Sequence, residues 1–260
     1  MLRKIYHSQS VDKFDELIDA KYEHIKSNQA KESDVSFCEV AFGAKYRRAT
    51  WMNVFTGAMI NLAGINAVNV FITQLLIMLK EQTEGQFPVS PGLGAFSVAV
   101  VNMIGTIFAL VPVRLLGRKS IFMMGYGGMS LDLLLIGLAY LKQWNMTMFI
   151  AVCVYTFIFQ STIGGITYFY MAETTLDRAT GLSLFFQFVA LILIVGSFEF
   201  ILESPLGPHG SFWVFSAINF AAFLVTLALL KETRGKTDFE KKTLYTPKSL
   251  LEADGAPTED

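Results

Sequence analysis

Amide side chains are concentrated in one apolar stretch of the sequence. Asn61, Asn66, Asn69 and Gln74 lie in an otherwise hydrophobic run. Asn66, Asn69 and Thr73 have the spacing that places side chains on one face of a helix. An amide can both donate and accept hydrogen bonds. This face therefore either binds an uncharged polar ligand or forms hydrogen bonds to neighbouring helices.

The residues that usually carry catalysis or bind metals are scarce. The chain has only three His and two Cys, and Cys38 and Cys153 are far apart in the sequence. No cluster of His, Cys and acids has catalytic or metal-binding spacing. We therefore predict that the protein is not an enzyme and has no cofactor, metal site or disulfide. The net charge of −1 gives no sign of a nucleic-acid partner, and we predict none.

The composition indicates that the amides lie in a membrane. Hydrophobic residues make up 53% of the 260 residues, and the mean hydropathy is +0.45. Charged residues make up only 17%, whereas soluble domains have about 25%. A membrane-spanning helix needs about 20 apolar residues. Six runs qualify, at 51–79, 94–116, 120–141, 146–171, 181–202 and 212–230. The predicted fold is an all-α integral membrane bundle of six transmembrane helices.

Three segments follow from this division. Residues 1–50 are predicted to form a linker, residues 51–231 the six-helix domain, and residues 232–260 a tail. Within the linker, apolar residues recur at helical spacing and predict an amphipathic surface helix. These residues are Val11, Phe14, Ile18, Tyr22 and Ile25.

The distribution of basic residues predicts the orientation of the bundle. With the N-terminus in the cytoplasm, 19 Lys and Arg lie inside, and only Lys80 and Lys142 lie outside. Cytoplasmic loops of membrane proteins carry such an excess of basic residues. Both termini are therefore predicted to be cytoplasmic.

Four short motifs resemble those of the sugar porter family of the major facilitator superfamily. "NLAGINAV" at 61–68 resembles the family's Q-x-x-GIN-A element, and "GRKSIFMMG" at 117–125 resembles its GRR/GRK turn. "MAETTLDRATGLSL" at 171–184 resembles the A-E-x-x-P…R-G segment. "KETRGKT" at 231–237 resembles the PETKGK tail signature, with Lys231 in place of Pro. The motifs occur in the family's order between suitably placed helices.

The resemblance implies a fold and a function. It covers the C-terminal six-helix half of a twelve-helix major facilitator fold, in which substrate binds between two halves. It implies transport of a hexose-like sugar by alternating access, with lipid around the bundle and the plasma membrane as location. An N-terminal half must then come from the same parent chain, a separate chain or a second copy. Residues implied to bind the sugar are Asn61, Asn66, Asn102, Gln160 and Tyr168.

The resemblance also implies a reversible gate of ion pairs at the cytoplasmic ends of the helices. The matched residues are Arg118, Glu173, Arg178, Glu232 and Arg234. The mixed charge of "KETRGKT" suits such a gate, whereas a membrane anchor needs only basic residues. The alternative is a solvated interface, in which exposed pairs contribute only about 0–1 kcal/mol.

Two departures from the family pattern leave a second function open. The stretch "STIGGITYFY" lacks the prolines that bend this helix in the family, although Gly164 and Gly165 could supply flexibility. Arg114 stands where the family has an acid. The alternative is a truncated or degenerate, non-transporting membrane protein that acts as a partner or a sugar sensor.

Overall fold

The computed structural model describes residues 35–82, 88–203 and 207–253, and within these ranges all regular structure is helical. The predicted amphipathic helix at residues 11–25 lies outside the described residues, as does the side chain of Gln74. The helices are α1 Phe37–Phe42, α2 Arg47–Leu62, α3 Ile65–Gln82, α4 Pro91–Phe108, α5 Leu110–Leu115 and α6 Arg118–Leu141. They continue as α7 Asn145–Phe159, a π-helical turn Gln160–Gly164, α8 Gly165–Thr174, α9 Asp177–Glu203, α10 Gly207–Leu229, α11 Asp238–Lys242 and α12 Lys248–Ala253.

Five helical segments in the described ranges are long and apolar enough to cross a membrane. They match the last five predicted spans, and their bounds are Pro91–Leu115, Arg118–Leu141, Asn145–Thr174, Asp177–Ser197 and Gly207–Leu229. The first predicted span, 51–79, is instead divided between α2 and α3. The described part of the bundle therefore has five segments that can span a membrane and, before them, a helix broken at Gly64.

The break between α2 and α3 is caused by Gly64. Its φ of 101° is one that residues with a Cβ rarely adopt. The break exposes the backbone carbonyl of Ala63, which accepts hydrogen bonds from Tyr155 Oη at 2.8 Å and Asn219 Nδ2 at 3.0 Å. Both donors are buried. An unsatisfied carbonyl in lipid would cost several kcal/mol, so these two side chains stabilise the broken conformation.

Two helix pairs form the frame of the bundle. Helix α6 packs most extensively against α10, and α2 packs against α9. Between α6 and α10, the hydroxyls of Ser130 and Ser216 each donate to the other residue's backbone carbonyl, at 3.0 and 2.7 Å. Fully buried side chains such as Phe122, Tyr126 and Met129 fill the core. Exposed large hydrophobic residues cover much of the outer surface, as expected for a protein embedded in lipid.

The π-helical turn interrupts the span that lacks the family's prolines. At this turn, Ser161 Oγ and Thr162 Oγ1 both donate to the carbonyl of Ile158, at 3.2 and 2.5 Å. Single π-helical turns inside α-helices are frequent at functional sites. The local irregularity therefore occurs without proline, and hydroxyl groups satisfy the displaced backbone.

Replacing Gly64 with Ala should destabilise the bundle. A methyl group there would lie 3.0 Å from the Phe215 ring at the φ of 101°, and a left-handed conformation costs L-residues about 1–2 kcal/mol. We expect Gly64→Ala to lower the melting temperature in detergent. Gly181→Ala is the matched control, because a methyl group at this position in α9 meets nothing within 4 Å and Ala favours helix. Equal melting of both variants would contradict a required break at Gly64.

Candidate functional site

A cavity of about 300 Å³ lies beside the helix break. Its polar lining comes from five elements: α2 and α3 on either side of the break, the π-helical turn, α8 and α9. The polar residues are Asn61, Asn66, Asn69, Gln160, Tyr168 and Gln187. None of the described lining residues carries a charge. The cavity therefore suits an uncharged polar ligand.

The break brings the two central amides together. Asn61 and Asn66 are five residues apart, a separation that would place them on different faces of a continuous helix. Here Asn66 Nδ2 donates to Asn61 Oδ1. The Asn61 amide in turn donates to the backbone carbonyl of Gln187 on α9. Both amides are thus held in fixed orientations.

The same chain of hydrogen bonds continues to the aromatic wall. Gln187 Nε2 donates to Tyr168 Oη at 2.7 Å. Gln187 Oε1 is buried and has no hydrogen-bond partner among the described residues. A buried acceptor without a partner costs about 1–3 kcal/mol, so a ligand hydroxyl that donated to it would be favourable. Gln187 is therefore a candidate ligand-binding residue.

Four of the five candidate binding residues predicted from the sequence line this cavity: Asn61, Asn66, Gln160 and Tyr168. Asn102 is not among the lining residues. It is half-buried on α4, and its Oδ1 has no hydrogen-bond partner among the described residues. Sequence reasoning missed Gln187, although it is the only Asn or Gln in the apolar run 181–202.

One side of the cavity is open. The Tyr168 side chain is 45% exposed and Phe188 is 59% exposed, although both line the cavity. Asn69 is exposed as well. Ligand sites bury most of a ligand's surface, whereas these residues leave the described cavity open on this side.

A second polar cluster lies at the end of the bundle that carries the C-terminal tail, termed the tail side. Arg118 Nη2 forms an ion pair of 2.8 Å with Glu173 Oε1, and each side chain is 19% exposed. Thr233 Oγ1 donates to the other Glu173 oxygen at 2.7 Å, and Lys241 Nζ lies 3.8 Å from Glu173. The tail therefore binds the same carboxylate that pairs with the start of α6.

Glu232 caps α6 from outside that helix. Gly117, at the N-cap position, has no capping side chain. Instead, the Glu232 carboxylate accepts from the backbone N–H of Arg118 at 2.7 Å and of Lys119 at 3.1 Å. It also accepts from the N–H groups of Thr233 and Arg234, each at 3.0 Å. A Cβ at residue 117 would collide with this carboxylate, so Gly117 permits the approach.

The two remaining gate candidates contact backbone carbonyls. Arg234 Nη1 donates to the carbonyl of Leu115 at 2.5 Å, which fastens the tail to the end of α5. Arg178 donates to the carbonyl of Val35, and its guanidinium lies 5.5 Å from the centroid of the Phe37 ring. The structure thus brings Arg118, Glu173 and Glu232 into one network with Arg234 at its edge. It also places Arg178 beside α1.

Comparison with known proteins identifies related transporters. The sequence profile of the family described as "Sugar (and other) transporter" matches residues 2–245. Facilitated glucose transporter member 2 of solute carrier family 2 from Gallus gallus is 26% identical over 240 residues, which cover 89% of this chain and 43% of that protein. The arabinose-proton symporter of Bacillus subtilis is 23% identical over 84% of this chain and 47% of its own length.

Solved structures support the fold. The major facilitator superfamily proton:xylose symporter XylE, bound to 6-bromo-6-deoxy-D-glucose, superposes with a TM-score of 0.70. It is 19% identical, and the match covers 94% of this chain and 50% of the symporter. The all-α membrane fold predicted from the sequence is confirmed. The chain spans about half the length of the relatives that it matches.

Removal of the Glu232 carboxylate should destabilise the tail side. Glu232→Ala leaves the first N–H groups of α6 without their acceptor, and loss of a helix cap costs about 0.5–2 kcal/mol. We expect a lower melting temperature in detergent than for the wild type. Lys236→Ala is the control, because Lys236 is exposed in the same tail. Identical melting curves for both variants would show that Glu232 does not stabilise α6.

Proposed function

Because the chain belongs to the Sugar (and other) transporter family, we propose that it is the C-terminal half of a sugar transporter that works by alternating access. Its cavity binds a neutral, hexose-like sugar. The observation that carries this proposal is the hydrogen-bonded series Asn66, Asn61, Gln187 and Tyr168, which lines one uncharged cavity.

The chemistry of the cavity suits a sugar. Sugar hydroxyls both donate and accept hydrogen bonds, and amides offer both functions without charge. The apolar faces of a sugar ring pack against aromatic side chains, which Tyr168, Phe159 and Phe188 provide. A volume of about 300 Å³ is at the lower end of the range for ligand sites, so the cavity favours a small ligand.

The open side of the cavity supports a two-part site. Tyr168 and Phe188 remain exposed where the cavity has no wall. In major facilitator transporters, substrate binds near the midplane between two six-helix halves. An N-terminal half would cover this face, whether it comes from the same parent chain, a separate chain or a second copy.

The tail-side network supplies a gate of the kind that alternating access requires. Ion pairs that form in one state and break in another bias a two-state equilibrium. The Arg118–Glu173 pair is partly exposed, so water can solvate both groups when the pair separates. Arg178, Glu232 and Arg234 extend this cytoplasmic gate.

The 19 to 2 distribution of basic residues supports cytoplasmic termini, and we assign the protein to the plasma membrane.

The requirement for an N-terminal half can be tested by reconstitution. We expect liposomes with the purified chain alone to show little sugar uptake, and co-reconstitution with an N-terminal half from a family member to increase uptake. Rapid uptake by the chain alone, at a concentration where it is monomeric, would contradict the two-part site. Sugar binding without uptake in the paired form would favour a non-transporting sensor.

A role of Asn66 in sugar binding can be distinguished from a purely structural role. Asn66→Ala removes an amide from the cavity, and a lost hydrogen bond with a stranded partner costs about 1–3 kcal/mol. That corresponds to about a tenfold loss of sugar affinity. Stability should change less, because an interhelical hydrogen bond in a membrane averages about 0.6 kcal/mol.

Sugar affinity and melting temperature are measured on the same paired protein. Asn102→Ala is the matched control, because Asn102 does not line the described cavity. If Asn66→Ala lowers the melting temperature and leaves affinity unchanged, Asn66 is a packing residue.

A further inference from the structure

The C-terminal tail folds back onto the bundle beyond the residues of the gate. The side chain of Tyr245 is only 7% exposed and belongs to the main hydrophobic core. Helix α11, which precedes it, packs against α8. A tail that served only as a membrane anchor would not need a buried tyrosine. This docked segment, residues 238–246, is termed the tail segment.

Two tyrosine hydroxyls hold the tail segment to α8. Tyr170 Oη lies 2.6 Å from Tyr245 Oη and 3.0 Å from the carbonyl of Lys231. The backbone N–H of Lys231 donates to Tyr245 Oη at 2.9 Å. Since Tyr170 donates its only proton to the Lys231 carbonyl, Tyr245 must donate to Tyr170. The three residues thus form a closed ring of hydrogen bonds in which every donor has an acceptor.

This ring depends on a departure from the family's tail signature. The sugar porter signature has Pro where this chain has Lys231. Proline has no backbone N–H, so it could not donate to Tyr245. Lys231 also donates from Nζ to the carbonyl of Leu244 at 2.9 Å, and its ammonium lies 5.5 Å from the centroid of the Tyr245 ring. Lys231 therefore binds Tyr245 through both its backbone and its side chain.

Helix α8 connects this ring to both functional regions. Tyr170 lies between Tyr168, which lines the cavity, and Glu173, which pairs with Arg118. These positions span less than two turns of one helix. Burial raises the pKa of Tyr245, so its hydroxyl remains a donor at physiological pH. Thr246 Oγ1 donates to the carbonyl of Lys45 at 3.3 Å, which fixes the far end of the tail segment.

We propose that Tyr245 is a positioning residue that latches the tail segment onto α8 and holds that helix in the conformation that closes the tail side. Release of the latch frees α8, so that Tyr168 and Glu173 can move together. The effect on transport rests on the proposed function. The latch itself is a property of this chain alone and can be measured without sugar or an N-terminal half.

The test is hydrogen–deuterium exchange of the full chain in lipid nanodiscs, with the variants Tyr245→Phe and Tyr170→Phe. Each variant keeps the aromatic side chain and removes one hydroxyl group. We expect about tenfold faster exchange in residues 238–246 and also in 165–174. The double variant should exchange no faster than the faster single variant, because both hydroxyls act in one ring.

Tyr126→Phe is the matched control. The Tyr126 hydroxyl is buried but has no hydrogen-bond partner among the described residues, so its removal should leave exchange in both segments unchanged. The proposal is overturned if the Tyr245→Phe and Tyr126→Phe variants have the same exchange rates in both segments. It is also overturned if only residues 238–246 accelerate, because Tyr245 would then anchor the tail without positioning α8.

A transport measurement separates this proposal from the proposed function. In the paired protein, Tyr245→Phe should change the maximal uptake rate several-fold and leave the melting temperature close to that of Tyr126→Phe. Faster exchange in α8 with no sugar transport by any variant, including the wild type, would reject the proposed function and retain the latch. Unchanged exchange with normal transport by the wild type would reject the latch alone.

Discussion

The site depends on the hydrogen bonds that satisfy the backbone carbonyl of Ala63. Inside a bilayer, a helix can break only where other groups replace its lost hydrogen bonds. Tyr155 and Asn219, from two different helices, both donate to this carbonyl. The break they stabilise reorients the chain between Asn61 and Asn66, so that these two amides meet. Without it, the cavity would lose one of its walls.

Hydrogen bonds between residues that are far apart in the sequence also organise the tail side. Helix α6 begins at Arg118 with no cap of its own, and a carboxylate more than 100 residues later in the chain completes it. Negative charge is favourable at a helix N-terminus because of the helix dipole. Glu232 therefore links the end of the membrane domain to the start of α6. The Arg118–Glu173 pair then joins α8 to the same point.

The length of the apolar runs predicted the main features of the fold. Runs of apolar residues predicted the last five spans, because a bilayer requires long hydrophobic helices regardless of packing. The same signal predicted one continuous helix at 51–79, since a broken helix inside a membrane is as apolar as a straight one. Gly64 was evident in the sequence, but the carbonyl that the break exposes is satisfied by the side chains of Tyr155 and Asn219. Such distant partners leave no pattern in the sequence.

The candidate site was only partly predictable for a similar reason. Asn61 and Asn66 were found through a motif, and Gln160 and Tyr168 were implied by the wider family resemblance. All four line one cavity. Gln187 stands outside those motifs, and only its amide in an apolar run signalled a role. Asn102 carries the same signal and does not line the described cavity. An amide in a membrane helix avoids lipid whether it binds a ligand or a neighbouring helix. Sequence alone therefore cannot assign its partner.

One helix finally connects the two regions of the molecule. The π-helical turn Gln160–Gly164 lines the cavity and leads directly into α8. From there, Tyr168, Tyr170 and Glu173 reach the cavity, the tail segment and the start of α6 in turn. Helix α8 has ten residues, and the irregular turn before it is a place where the chain can bend. The amides of the cavity and the Arg118–Glu173 ion pair are therefore connected through one short helix, which the tail segment also contacts.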